Sequence, residues 1–145
     1  MKIIQRFMAQ YKHSQDSTQA VGNSWRQDFT SVFLGHARLY AFAGQYLIDS
    51  LQALALRNIH KALSTYTLFA RSVGSINQLA YFAYNNNCIP DRAYGKIDPL
   101  RLMVVEFIAL RFKYFELDDG HKELMEVEGQ YATDLLAALA ESYGS

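Results

Sequence analysis

Between Val32 and Leu47 the apolar and aromatic residues Val32, Phe33, Tyr40, Ala43 and Leu47 recur at three- and four-residue steps, the spacing of a helix with one buried stripe rather than of a strand. His36, Tyr40, Ala43 and Tyr46 are read as one packing face, and the small residues Ala37, Ala41, Ala43 and Gly44 let a neighbouring helix approach closely. Asp49 followed by Gln52 has the form of an N-cap with its capping-box partner. The pattern therefore predicts a second helix with Leu51, Leu54, Ala55, Ile59, Ala62 and Leu63 on its stripe and Gln52, Arg57, His60 and Lys61 largely off it.

Helical periodicity continues to the end of the chain. Ser75 with Gln78 predicts a cap for a helix bearing Ile76, Leu79, Ala80, Phe82 and Ala83, ended by Asn85-Asn86-Asn87. Cys88 to Ile97 reads as a loop, and Asp98-Pro99 as a strong restart, because proline in the first helical turn lacks only a donor that would have no partner. Leu100, Met103, Val104, Phe107, Ile108, Leu110 and Phe112 wrap most of the following helix, which predicts the central, most buried element. Asp118-Asp119-Gly120 is expected to close it, before an acidic helix from about His121 to Val127, a break at Gly129 and a last amphipathic helix from Gln130 to Tyr143. Upstream, Met1 to Tyr11 reads as a helix and Ser14 to Asp28 as a mobile polar loop tacked down by Trp25. Tyr66 to Phe69 either prolongs the second helix or forms a turn. The expected fold is an all-α bundle of five to seven helices, divided into an N-terminal helix and loop over 1–28 and a helical domain over 29–145.

Composition agrees with one domain. The 145 residues are half hydrophobic, with ten Tyr and nine Phe but two Pro, so a sizeable core can form and long helices are possible. A formal net charge of zero argues against a nucleic-acid binder, which carries a basic stripe. The balance conceals a gradient: bases outnumber acids up to Arg71, and acids dominate afterwards through Glu116, Asp118, Asp119, Glu123, Glu126 and Glu128. Either two solvated faces attract each other or the acidic half docks a basic partner. One cysteine, Cys88, allows no internal disulfide and no cysteine-based zinc site. No signal-like or membrane-spanning run occurs, so an intracellular protein, cytoplasmic or nuclear, is expected.

Candidate chemistry is sparse. His13, His36, His60 and His121 are scattered; His36 reads as a structural residue, His60 as a helix-end charge and His121 as exposed beside Glu123. No metal-ligand spacing, nucleophile elbow, phosphate loop or dinucleotide glycine pattern is present. Tyr81, Phe82 and Tyr84 lack the interleaved bases of a nucleotide-stacking platform. No catalytic residue, cofactor site or metal site is expected.

Read as H-x-x-x-Y-x-x-A-x-x-Y followed by L-x-x-L-A-L, the run His36, Tyr40, Ala43, Tyr46, Leu51, Leu54, Ala55 and Leu56 resembles the end of the BTB/POZ domain of fungal proteins. Val73 to Asn86 with the Ile89-Pro90-Asp91-Arg92 loop, and the closing Gly129, Ala132, Asp134, Leu135 and Leu136, are similar to the helices that follow it. The family's strand-rich first half has no counterpart here, which reads as a truncated paralogue, an incomplete gene model or a trimmed chain. The resemblance implies a non-catalytic protein–protein interaction module that self-associates or serves as a substrate adaptor or assembly factor for a cullin-type ubiquitin ligase. Phe7, Met8, Tyr11, Trp25, Val32, Phe33, Tyr81 and Tyr84 are the expected interface residues. A small helical regulator or chaperone with a single client, and a small-molecule-binding bundle, are the alternatives.

Overall fold

In the computed structural model the described residues are 29–66, 73–91 and 95–144. The expected helix over Met1 to Tyr11, the polar loop, and the interface candidates Phe7, Met8, Tyr11 and Trp25 lie outside them, as do residues 67–69.

Six α-helices follow in order: α1 Thr30–Gln45, α2 Asp49–Thr65, α3 Val73–Tyr84, α4 Pro99–Leu110, α5 Asp119–Val127 and α6 Gly129–Gly144, with a short 3-10 turn at Phe112–Tyr114 between α4 and α5. Among the described residues there is no strand element, and the all-α bundle is the fold. α1 and α2 form an antiparallel hairpin; α1 also packs on α3, and α6 packs on α4.

α1 buries Phe33, Ala37, Tyr40, Ala41 and Ala43. Its start is anchored by rings: Phe29 and Phe33 both meet Tyr66 edge-on, at centroid distances of 5.4 and 5.2 Å. Thr30 Oγ1 lies 2.8 Å from Ser75 Oγ and ties this end to α3. Ser75 is therefore not the cap expected of it: α3 begins two residues earlier, at Val73, and the hydroxyl sits inside the helix facing a neighbour. Asp49 likewise lies in the first turn of α2 and makes no capping bond, Ile48 holding the cap position. Its charge still suits the positive end of the helix dipole.

Asp98 does cap. Its carboxylate accepts from the Leu100 backbone N–H at 2.9 Å, Pro99 follows it, and the Tyr40 hydroxyl reaches both carboxylate oxygens at 3.1 Å. One side chain thereby starts α4 and fastens it to α1. Burial raises the Asp98 pKa, an effect that the bonds from Leu100 and Tyr40 partly offset. Nine of the twelve residues of α4 are buried, which makes it the central helix. It ends at Leu110 rather than at Asp118. Asp118 starts the next helix instead, accepting from the His121 N–H at 2.9 Å.

Candidate functional site

Three regions bear on function: a buried polar chain, a groove between α3 and α5, and the exposed corner joining α1 to α2.

The polar chain lies where α3, α4, α5 and α6 meet. The Tyr84 hydroxyl donates to Asp134 Oδ2 at 2.6 Å, and the Arg101 guanidinium sits 4.5 Å from the centre of the Tyr84 ring. Arg101 is itself buried and donates through Nε to the Ala83 carbonyl at 2.8 Å and through a terminal nitrogen to the Ile89 carbonyl at 3.0 Å. Its other terminal nitrogen meets the exposed Asp91 at 2.8 Å. The Tyr131 ring stands edge-on to Tyr84 at 5.4 Å, and its hydroxyl lies 2.7 Å from His121 Nε2.

His121 is 1% exposed, against the expectation that it faces solvent. The helix beginning at Asp119 turns it inward, where Phe112, Phe115 and Tyr131 enclose its ring at 5.5 to 6.1 Å. Its Nδ1 has no hydrogen-bond partner. Whichever ring nitrogen carries the proton in the neutral form, one buried polar atom is left unsatisfied. Burial lowers the His121 pKa from its ordinary value, opposed by the nearby Asp118 charge. Both phenols are pushed well above the ordinary tyrosine range, Tyr131 by burial and Tyr84 by burial followed by the Asp134 bond. Un-ionised phenols and an arginine committed to carbonyls hold four elements together. None of these side chains opens onto solvent.

His60 is corrected in the same sense: it is fully buried in α2, with Ser64 Oγ donating to its backbone carbonyl at 2.8 Å. The buried face of α2 centres on Ala55, Ile59 and Leu63, so the helical step of about 100° per residue brings position 60 inward and turns Leu54 out to 44% exposure. His36 is half-buried on α1, and burial lowers its pKa.

Of the expected interface residues within the described structure, Phe33 and Tyr84 are buried. Phe33 fills the aromatic cluster at the start of α1, and Tyr84 is held inward by Asp134, so neither side chain is exposed. Val32 and Tyr81 are exposed. Tyr81 lines the groove with Gly74, Asn77, Glu123, Leu124 and Val127, around a volume of about 360 Å³. Gly120 also lines it, where a Cβ would come within 3.2 Å of Asn77 Nδ2 and Asp118 Oδ2. Asn77 spans its end, donating to Asp118 Oδ2 at 2.9 Å while its own Oδ1 has no partner.

The corner was not expected as a surface. Tyr46, assigned to the packing face, is 60% exposed, beside Phe42 at 49% and Leu47 at 83%. The Phe42 and Tyr46 rings stack obliquely at 4.7 Å. α1 ends there in a Schellman motif, the Ile48 N–H bonding the Ala43 carbonyl at 2.8 Å and the Leu47 N–H the Gly44 carbonyl at 3.3 Å. The left-handed position of that motif normally carries glycine; here Leu47 occupies it with φ of 58°. The signal available in sequence was the absence of Gly or Asn between two helices.

Among the described residues no three His, Cys, Asp or Glu side chains gather as metal ligands, and no helix is long and apolar enough to cross a membrane. The chain matches no family model, no curated protein and no solved structure.

Proposed function

We propose that the chain is a non-catalytic protein–protein interaction module of the kind its resemblance to fungal BTB/POZ proteins implies, acting as an adaptor or assembly factor for a cullin-type ubiquitin ligase. The observation that supports this reading is the α1–α2 corner. A soluble domain commonly exposes single apolar side chains, but Phe42, Tyr46, Leu47, Ile48 and Leu54 are all at least 39% exposed within one helix–turn–helix. Leu47 is held there at a backbone conformation unfavourable for it by about 1–2 kcal/mol. Strain retained at an exposed apolar residue points toward use. Aromatic anchors beside aliphatic ones are the composition of an interface centre, and exposed Asp49 supplies a charge next to them.

Capture on an immobilised cullin N-terminal domain tests the proposal. The unsubstituted chain is expected to be retained, and Phe42→Asp or Leu47→Asp to reduce retention at least about tenfold with helical content unchanged, as for loss of interface anchors. Absence of capture overturns the adaptor reading. Capture indifferent to both substitutions removes the corner from it.

A further inference from the structure

The acidic stretch of the sequence supplies one wall of the groove between α3 and α5. From Asp118 to Glu128 five acids, Asp118, Asp119, Glu123, Glu126 and Glu128, stand against Lys122 alone, whereas α3 carries no charged residue. No base among the described residues lines the groove, and the charged side chain that does is exposed Glu123. The bases of the hairpin, Arg38, Arg57 and Lys61, leave it uncompensated, because α1 and α2 make no substantial contact with α5. The hollow is therefore negative and favours a cation.

Its other surfaces restrict which cation. Leu124, 5% exposed, is the buried member of the lining, and exposed Val127 on α5 and Tyr81 on α3 extend its apolar surface. The Asn85 amide donates to the Tyr81 hydroxyl one helical turn away, which holds the ring in place. A held ring beside a carboxylate and an apolar strip fits a flat cation on a hydrocarbon stem. That is the form of arginine, whose plane stacks on rings and forks onto carboxylates, whereas a lysine ammonium is a strongly hydrated point charge. The hollow, of about 360 Å³, has room for one such side chain. With Tyr81 45% and Val127 61% exposed it is open to solvent, so it covers only part of a free small molecule, where dedicated ligand sites bury roughly 70–90%. A side chain on a longer segment gains the remaining contacts from its neighbours.

We propose that the groove is a docking site for an arginine carried on a basic segment of a partner protein, its stem along Leu124 and Val127 and its guanidinium between the Tyr81 ring and the Glu123 carboxylate. The proposal rests on the interaction-module reading and adds a second contact, apart from the α1–α2 corner. Binding weakens with salt, because an exposed carboxylate supplies the charge.

Two blocked alanine pentapeptides, one with a central arginine and one with citrulline, its uncharged isostere, titrated into the full chain and followed by amide NMR, test it. The arginine peptide is expected to shift the amides of Tyr81, Glu123 and Leu124, and the citrulline peptide to bind at least about tenfold more weakly. A central lysine in place of arginine is expected to cost at least about threefold. Glu123→Gln and Tyr81→Leu, both at exposed positions, should each weaken the arginine peptide at least about threefold, whereas Glu126→Gln, outside the groove, should change it less than about twofold. No binding at millimolar peptide, equal binding of the citrulline or lysine peptide, or shifts centred away from the groove overturns the proposal. So does a groove whose amides move when Lys2, Arg6, Lys12 and Arg26 are changed to Gln while the peptide has no effect, since the chain's own first segment is then the occupant. Cullin capture measured beside it separates the readings: groove binding without capture sinks the adaptor reading alone, and capture without groove binding sinks the arginine site alone.

Discussion

Leu47 and His121 both sit in surroundings that fit them poorly. Leu47 takes φ of 58° where a Cβ is crowded by the following carbonyl. Replacing it by glycine relieves that crowding and adds some freedom to the unfolded chain, so Leu47→Gly is expected to stabilise the fold by about 1 kcal/mol in urea titration. His121 predicts a pH dependence. Its folded pKa lies below the ordinary 6.5, as does that of His36, so the unfolded chain binds protons that the folded chain refuses. Stability is then full above about pH 6.5 and declines as pH falls from there toward the folded pKa, with a limiting slope of about 1.4 kcal/mol per pH unit per histidine. Urea midpoints at several pH values between neutrality and mild acid would show it. His121→Phe combined with Tyr131→Phe should flatten the slope without orphaning the Tyr131 hydroxyl; an unchanged slope would assign the effect to His36.

At the scale of elements, the two aspartates that precede helices behave differently because only one is bonded. Asp98 caps α4 and receives the Tyr40 hydroxyl, so Asp98→Ala is expected to cost about 2 kcal/mol, the upper end for a lost cap. Asp49 contributes a charge to the dipole of α2 and no capping bond, so Asp49→Ala should cost no more than about 0.5 kcal/mol. Equal losses in thermal or urea unfolding would contradict this assignment. A parallel contrast holds in the loop between α3 and α4. Arg101 bonds the carbonyls of Ala83 and Ile89 from a buried position, whereas its ionic partner Asp91 is 75% exposed. Arg101→Ala should cost about 3 kcal/mol, since two carbonyls lose charged donors and Tyr84 loses its cover. Asp91→Ala should cost less than about 1 kcal/mol, as an exposed pair is screened by water.

Over the whole molecule the buried helix α4 separates a basic hairpin from an acidic α5–α6 end, and the consequences are directional. Charges that would neutralise one another within a smaller bundle are left facing outward on different sides. The prediction that belongs to this scale is that added salt shifts the urea midpoint little, because the two charged ends do not attract each other across a short contact; a large loss of stability in salt would contradict it.

Local rules were legible in the chain wherever the determining contacts lie within a few residues. The 3.6-residue pattern located the helices, Asp98-Pro99 marked the start of α4, and the near-continuous apolar circumference of that helix marked it as central. Gly129 begins α6 where the break was expected. What failed were judgements about facing and partners. His121 looks exposed from its acidic neighbours, yet aromatic rings contributed by Phe112, Phe115 and Tyr131 create the apolar pocket that receives it. Ser75 has the spacing of a cap, yet a hydroxyl on α1 competes for it. Tyr84 could be read as a contact until Asp134, fifty residues on, accepted its hydrogen bond. The sequence by itself determined which segments are helical, because propensity, capping and periodicity act over one or two turns. Only the tertiary structure decided which side chains are sealed, which corner protrudes and whether opposite charges meet, because those outcomes depend on residues far apart in the chain.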